Sequence, residues 1–195
     1  MNFNPISQII YKTPKEFEKL SSKAIEVGTF PHYTFFNKVT STYPKRSQYA
    51  KTCDILVVND TMVHLAPELR GRNLVQDLSN FIRREKAEKD KVNAFVIGGR
   101  VDDKDSYTLF CDIGNTLEKE GADFSMICGK NENSKNGLDS LYHDGDKFVF
   151  TQEYNPTLEK EIKANKNPDS NFLQQIFEKF YDIIEISPKH KIAAE

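Results

Sequence analysis

Cysteine is scarce in this 195-residue chain, and its spacing fits neither a disulfide framework nor a zinc site. Cys53, Cys111 and Cys128 form an odd set without a Cys-x-x-Cys pair. Such isolated thiols fit a reducing compartment. The N-terminal segment also lacks a basic stretch followed by an apolar core, so no cleaved secretory signal is expected. The sequence therefore predicts a cytoplasmic protein, and export by a specialised secretion machinery stays open.

Neither sign of charge dominates, and long apolar runs are missing. The 27 Lys and Arg residues nearly balance 29 Asp and Glu, which leaves a formal net charge of −2. No global field therefore favours nucleic acid or an anionic membrane. No segment approaches the roughly 20 apolar residues that span a bilayer. We expect no nucleic-acid or membrane partner, and a protein substrate or partner would have to be recognised locally.

The residues that are present support a folded core. Apolar residues make up 38% of the chain, with 14 Phe and 8 Tyr, which is enough to bury a substantial interior. The length suits one domain spanning residues 1–195. Within it we expect a helical or irregular N-terminal extension over 1–44, a core over 45–152 and a helical C-terminal extension over 153–195.

Strand and helix patterns alternate through the core. Apolar runs rich in branched residues predict buried strands, and apolar residues at helical spacing predict helices. The predicted strands lie near 54–58, 62–66, 92–97 and 124–128, with a hairpin over 140–151 around Asp144-Gly145, and the predicted helices lie near 71–88 and 106–120. Two strand pairs are close enough in sequence for hairpins. This order predicts an α+β fold in which one mixed sheet carries packed helices.

The two terminal extensions show helical patterns. Thr13, followed by Pro14 and by Glu16 three residues after the cap, forms a capping box that begins a helix, and Gly28 is expected to end it. Near the C-terminus a short charged helix is predicted from Thr157 onward. A second, amphipathic helix is then expected to carry Phe172, Ile176, Phe180 and Ile183.

The pairing of Cys53 with His64 could form an activated nucleophile. The two residues are 11 positions apart, on either side of a short turn between two predicted strands. If the chain doubles back there, the imidazole can approach the thiol. A nearby imidazolium would lower the pKa of the thiol and raise its reactive fraction. On spacing alone, the alternative is a small buried cysteine beside a packed, hydrogen-bonded histidine.

The segments around this pair resemble a known enzyme family. They are Thr52-Cys53, Val63-His64-Leu65-Ala66-Pro67-Glu68, the helix over Leu74 to Ile82, Ala94-Phe95-Val96-Ile97-Gly98-Gly99-Arg100, and the helix end Leu117-Glu118-Lys119-Glu120-Gly121. Their order is similar to that of the chemotaxis receptor glutamine deamidases (CheD) and the related deamidase toxins such as cytotoxic necrotizing factor. The resemblance covers about half of the chain.

This resemblance implies hydrolysis of a protein glutamine side chain to glutamate and ammonia. Cys53 would attack the carboxamide and His64 would transfer the proton. The family has a hydroxyl residue six positions before its cysteine to orient the histidine, and that position is Ser47 here. Thr52 occupies the place of the family's serine before the cysteine. The resemblance implies no metal and no organic cofactor.

Two other interpretations remain open from the sequence. Lys51 stands where the family has a glycine, which favours a non-catalytic protein-interaction module on the same scaffold. The pair Gly98-Gly99 could bind an anion at a helix start, although two glycines at a strand end are typical of a turn. An exposed Cys53 with His64 in reach would favour the enzyme over the module.

Overall fold

A computed structural model describes residues 9–28, 37–40, 42–68, 73–129, 138–153, 156–165, 171–172, 175–176, 179 and 181–186. The strands in chain order are β1 (Ile9–Tyr11), β2 (Ile25–Glu26), β3 (Asn37–Thr40), β4 (Lys45–Ala50), β5 (Asp54–Val58), β6 (Thr61–Leu65), β7 (Asn93–Arg100), β8 (Asp123–Gly129), β9 (Leu138–His143), β10 (Phe148–Glu153) and β11 (Tyr181–Ile186). The helices are α1 (Pro14–Ser21), α2 (Leu74–Lys89), α3 (Lys104–Lys119) and α4 (Pro156–Ala164). The predicted α+β class is confirmed.

The strands form two mixed sheets. Sheet A has the order β1-β10-β9-β4-β2, and sheet B has the order β11-β8-β7-β5-β6-β3. The prediction of a single sheet was therefore wrong, because the hairpin β9–β10 pairs with β4 and β1 in sheet A. The strands predicted near 54–58, 62–66, 92–97 and 124–128 do share sheet B.

The two larger parts of the core lie one on each face of sheet B. One apolar cluster lies between the sheets and includes Ile55 and Val57 of β5 with Leu141 and Phe150 of sheet A. The other lies between sheet B and the helices α2 and α3, and it includes Leu56. Successive residues of β5 thus point into different clusters, and both are buried. This explains why β5 is a continuous apolar run without polar alternation.

The N-terminal extension is part of the sheets. Thr13 caps α1, and its side chain accepts from the backbone N–H of Glu16 in the predicted capping box. The helix ends at Ser21, before the predicted Gly28, because the chain then enters β2 and pairs with β4. Helix α1 confirms the helical part of the extension predicted over 1–44, whereas strands β1 and β2, which also come from these residues, were not predicted.

The C-terminal extension also supplies a strand. Helix α4 confirms the short charged helix, and Phe172 and Ile176 pack against the cluster between the sheets. Ile183, however, lies in β11, which pairs antiparallel with β8, where an amphipathic helix was expected. Pairing with β8 satisfies the backbone groups at that sheet edge and overrides the local helical pattern. Phe180 lies outside the described residues. Within the described part, no helix is long and apolar enough to cross a membrane.

Candidate active site

Cys53 directly precedes β5, and its backbone is held against β7. The Cys53 carbonyl accepts a hydrogen bond from the Gly99 N–H at 3.1 Å. Gly98 has a φ of +134°, and a Cβ on it would lie only 2.3 Å from the Cys53 carbonyl oxygen. Only glycine permits such close backbone contact. Strand β7 runs on through Gly98 and Gly99 with an irregular register against β8, so these glycines serve strand-to-strand contact where a tight turn was predicted.

A second contact fixes the other side of the Cys53 loop. The Ser106 hydroxyl donates to the Thr52 carbonyl at 2.8 Å and accepts from the Arg100 N–H at 2.9 Å. Ser106 is buried near the start of α3, and its N–H donates to the side chain of the N-cap residue Asp103. Sequence reasoning missed Ser106, because a serine in the first turn of a helix carries no signal of such a distant contact.

The register of β5 and β6, together with the packing of Cys53, indicates that Cys53 and His64 lie on the same side of sheet B. Strands β5 and β6 form the predicted antiparallel hairpin, with Ile55 directly opposite His64. Cross-strand partners share a face, and so do residues two apart along a strand. Cys53, two residues before Ile55, packs against the same inter-sheet cluster and is half-buried. The predicted pairing is therefore compatible with the fold.

Ser47 of β4 reaches His64 from the facing sheet. The Ser47 Oγ lies 2.8 Å from His64 Nδ1 and 2.5 Å from the carbonyl oxygen of Val27. A carbonyl can only accept, so the single hydroxyl proton is donated to Val27. His64 Nδ1 must then carry the ring hydrogen and donate it to Ser47. The resemblance pointed to Ser47, whereas the Val27 backbone carbonyl has no side-chain signature that sequence reasoning could have found.

This arrangement leaves His64 Nε2 as the unprotonated ring nitrogen. His64 is buried, and Nε2 has no hydrogen-bond partner among the described residues. An unpaired buried acceptor is costly, so it is a feature that requires an explanation. A neutral imidazole that is oriented through Nδ1 and unpaired at Nε2 has the chemical form of a general base.

The thiol and the imidazole are both neutral in the resting site. Burial lowers the pKa of His64 to about 4, and the nearby Val27 carbonyl opposes this shift by favouring the protonated ring. Burial also raises the pKa of Cys53 to about 12; the charges of Asp54 and Glu68 add to this, and a hydrogen bond from Thr52 opposes it. From the sequence, an imidazolium beside the thiol was expected. In the structure desolvation keeps the imidazole uncharged, so the thiol is not activated at rest.

The pH dependence of Cys53 alkylation checks this resting state. Because Cys53 remains a thiol, its alkylation by iodoacetamide should rise about tenfold per pH unit from pH 7 to pH 10. The rate would be followed by mass spectrometry of the Cys53 peptide. In the urea-unfolded chain, the alkylation rate of Cys53 should stop rising once the pH exceeds the ordinary thiol pKa of about 8.5. A plateau at neutral pH in the folded protein would instead show a preformed thiolate–imidazolium pair.

Asp54 lies beside the site and was missed by sequence reasoning. Its carboxyl is fully buried, and neither oxygen has a hydrogen-bond partner within the described ranges. The Oδ1 lies under the Gly99 backbone, 3.1 Å from where a Cβ would stand. Burial raises the pKa of Asp54 well above its ordinary value, and the nearby Asp139 adds to this. The side chain is therefore a neutral carboxylic acid at moderately acidic pH.

A cavity of about 310 Å³ lies at the opposite end of β5. It is lined by Asn59 and Asp60 of the hairpin turn together with Lys89, Lys91 and His143. Lys89 is already paired with Asp60 at 2.8 Å. The length of β5 separates this cavity from Cys53, so it is not part of the same site. Over the described residues, no group of three or more His, Cys, Asp or Glu side chains is placed to hold a metal ion.

Comparison with known proteins gives no further assignment. No protein-family model matches this chain, and no curated protein matches it.

Proposed function

We propose that this chain is a cysteine-dependent hydrolase that converts a glutamine side chain of a protein to glutamate. The observation that carries the proposal is the contact between Ser47 Oγ and His64 Nδ1 at 2.8 Å. It fixes the imidazole in the tautomer whose Nε2 can accept a proton, on the sheet face that Cys53 shares. The half-buried state of Cys53 adds support, since a nucleophile has to be reached by its substrate.

The reaction would proceed in two stages. His64 Nε2 takes the proton of the Cys53 thiol while Sγ attacks the carboxamide carbon, and the imidazolium then gives that proton to the departing nitrogen. The C–N bond breaks, ammonia leaves and a thioester remains. Water next attacks the thioester carbon, losing a proton to His64. The C–S bond breaks, and the proton returns to the sulfur, so the enzyme is restored and the product is glutamate.

The neutral resting pair sets a condition on this reaction. Charge separation between Cys53 and His64 has to occur with the substrate bound, when Sγ–H and Nε2 can meet and the two charges stabilise each other. Ser47 would act as a positioning residue by holding Nδ1, and Thr52 would contribute its hydrogen bond to the sulfur. An ionised Asp54 would oppose the reaction, because its charge raises the pKa of the thiol.

A non-catalytic interaction module on the same scaffold is the second candidate. The raised pKa of Cys53 favours it, because a thiol that stays protonated is a poor nucleophile. Lys51, which is exposed in the loop before Cys53, favours it as well. The two candidates differ in one measurable respect, since only the enzyme changes the covalent structure of its partner.

Deamidation of cellular proteins tests the enzyme. The purified chain, incubated with cell extracts, should convert specific glutamines to glutamate, detected as mass-shifted peptides by tandem mass spectrometry. Cys53→Ala should lose the activity entirely while remaining folded, and His64→Ala should lose at least about 100-fold, as expected for a general base. Cys111→Ala, which removes a half-buried thiol on α3, is the matched control and should retain full activity. Equal conversion by the wild type and Cys53→Ala would reject the enzyme in favour of the module.

A further inference from the structure

Arg46 lies on β4 directly before Ser47, and its guanidinium ties this strand to two elements of the N-terminal segment. Its Nε donates to Glu26 of β2 at 2.6 Å, and its Nη1 donates to both carboxylate oxygens of Glu18 of α1 at 3.0 Å. The same Nη1 donates to the hydroxyl of Ser21, the last residue of α1, at 3.1 Å. The Arg46 side chain is only 17% exposed. A network of charged hydrogen bonds of this kind contributes more than an isolated exposed ion pair.

The strand that Arg46 holds is short and lies at the edge of its sheet. Strand β2 has two residues, both exposed, and it is the last strand of sheet A. Its attachment to β4 includes two backbone bonds, from the Ile25 N–H to the Pro44 carbonyl at 2.9 Å and from the Val27 N–H to the Arg46 carbonyl at 2.8 Å. So short a pairing is weak on its own. The side-chain contacts of Arg46 therefore supply a substantial share of the attachment of β2.

The carbonyl that follows this strand determines which nitrogen of His64 carries the ring hydrogen. Val27 comes directly after β2, and its carbonyl takes the proton of the Ser47 hydroxyl. Ser47 can then only accept from His64 Nδ1, which leaves Nε2 unprotonated. If the carbonyl moved away, the hydroxyl could donate to Nδ1 instead, and the ring hydrogen would move to Nε2. In that tautomer Nε2 cannot take the thiol proton of Cys53.

We propose that Arg46 is a positioning residue that holds α1 and β2 against β4 and thereby keeps His64 in the tautomer that can act as a base. The link is the Val27 carbonyl, which stays on the Ser47 hydroxyl only while β2 is held in place. The role in catalysis rests on the proposed function, in which His64 Nε2 accepts the Cys53 proton. The N-terminal segment then serves the site through one backbone carbonyl and through the cation that holds this carbonyl in place.

The ¹⁵N resonances of the His64 ring report the tautomer directly. At pH 7 the ring is neutral, since burial lowers the pKa of His64 to about 4, and protonated and unprotonated ring nitrogens have well-separated chemical shifts. His64→Gln assigns the signals among the four histidines of the chain. The wild type should show a protonated Nδ1 and an unprotonated Nε2. Arg46→Gln should raise the ratio of the Nε2–H form to the Nδ1–H form about tenfold, the factor that corresponds to roughly 1.4 kcal/mol.

Three variants separate positioning from folding. Glu18→Gln combined with Glu26→Gln removes the same ion pairs from the other side, so it should shift the ratio in the same direction. Arg46→Lys keeps the charge but lacks the planar fork of donors, and it should restore part of the wild-type ratio. Arg83→Gln is the matched control, because it breaks a two-point contact with Glu120, at 2.8 and 2.9 Å, on the helical side of sheet B. It should leave the ratio unchanged.

Two results would overturn the positioning role of Arg46. One is an unchanged ratio in both Arg46→Gln and the double glutamate variant, and the other is a wild type that already carries the ring hydrogen on Nε2. If Arg46→Gln does not fold, the double glutamate variant decides between the outcomes. A shift of the same size in Arg83→Gln would also count against the proposal, because it would show that any lost ion pair moves the ring hydrogen.

The tautomer is measured independently of deamidation. If the ratio shifts as expected but the wild type converts no glutamine in extracts, the positioning role stands and the hydrolase fails. If the wild type and Arg46→Gln convert glutamine equally and share one tautomer ratio, the hydrolase stands and the positioning role is wrong. Where both hold, the deamidation rate should fall in proportion to the fraction of His64 that keeps its hydrogen on Nδ1.

Discussion

Replacing Gly98 with alanine destabilises the fold by about 3 kcal/mol or more, because overpacking and backbone strain each contribute roughly 1–3 kcal/mol. The new Cβ would meet the Cys53 carbonyl oxygen at 2.3 Å and the Asp54 Cα at 3.0 Å. Both are backbone atoms, so no side-chain rotation can relieve the contact. The φ of +134° adds strain for any residue with a Cβ. Relief requires β5 and β7 to separate, which also breaks the hydrogen bond from Gly99 to Cys53.

Gly145→Ala is the matched control for this substitution. Gly145 also has a positive φ, of +98°, but a Cβ there would have no neighbour within 4 Å. Gly145→Ala should therefore lower the free energy of unfolding by about 1–2 kcal/mol, from backbone strain alone. Urea denaturation of both variants gives the comparison, with the midpoint and slope fitted separately. Similar losses of unfolding free energy in the two variants would contradict the close approach of β7 to the Cys53 backbone.

The local part of the fold follows from sequence patterns. The hairpin β5–β6 was predicted because two short apolar runs flank Asn59-Asp60, and Asn59 indeed takes a φ of +49° in the turn. Helices α2 and α3 were predicted to within a few residues, since their apolar stripes face the core between the helices and sheet B. These features depend on neighbours in sequence, where periodicity is informative.

The division into two sheets could not be predicted in this way. The hairpin pattern over 140–151 predicts that two strands pair, but not which sheet they join. Strands β1 and β2 are three and two residues long, and they form because β10 and β4 offer open edges. Strand β11 likewise forms against β8, although the apolar spacing from Phe172 to Ile183 predicted a helix. Such pairings are decided by tertiary contact, which outweighs local propensity.

The candidate site shows the same limit. Cys53 and His64 were predicted from a hairpin, which is local; the structure pairs Ile55 with His64 and packs Cys53 against the same cluster as Ile55. Ser47 was indicated only by resemblance, and it reaches His64 because sheet A packs over sheet B. The backbone of Val27 and the buried carboxyl of Asp54 have no counterpart in a one-dimensional pattern.

The buried carboxyl of Asp54 should make the stability of the fold strongly dependent on pH. Its folded pKa lies well above the ordinary value because burial disfavours the charged form, and Asp139 adds to the shift. Between the unfolded pKa, near 3.9, and the folded pKa, only the folded chain keeps this proton. Rising pH therefore favours the unfolded state through this group. The contribution of Asp54 to stability should fall by about 1.4 kcal/mol for each pH unit in that window.

Asp54→Asn has no proton to lose at this position, so its free energy of unfolding relative to the wild type should increase with pH from 4 upward. Subtracting the wild-type free energy of unfolding cancels the contributions of groups that titrate in both proteins. One such group is His64, whose lowered pKa makes stability rise with pH. Asp60→Asn is the control of opposite sign, because Lys89 lowers the pKa of Asp60 and the stability it gives is lost as pH falls. That effect should be small, since Asp60 is 39% exposed. Urea denaturation from pH 4.5 to pH 8 measures all three proteins. Parallel plots of the free energy of unfolding against pH for the wild type and Asp54→Asn would show that Asp54 is ionised in the folded chain. Its negative charge beside Cys53 would then oppose formation of the thiolate throughout this pH range.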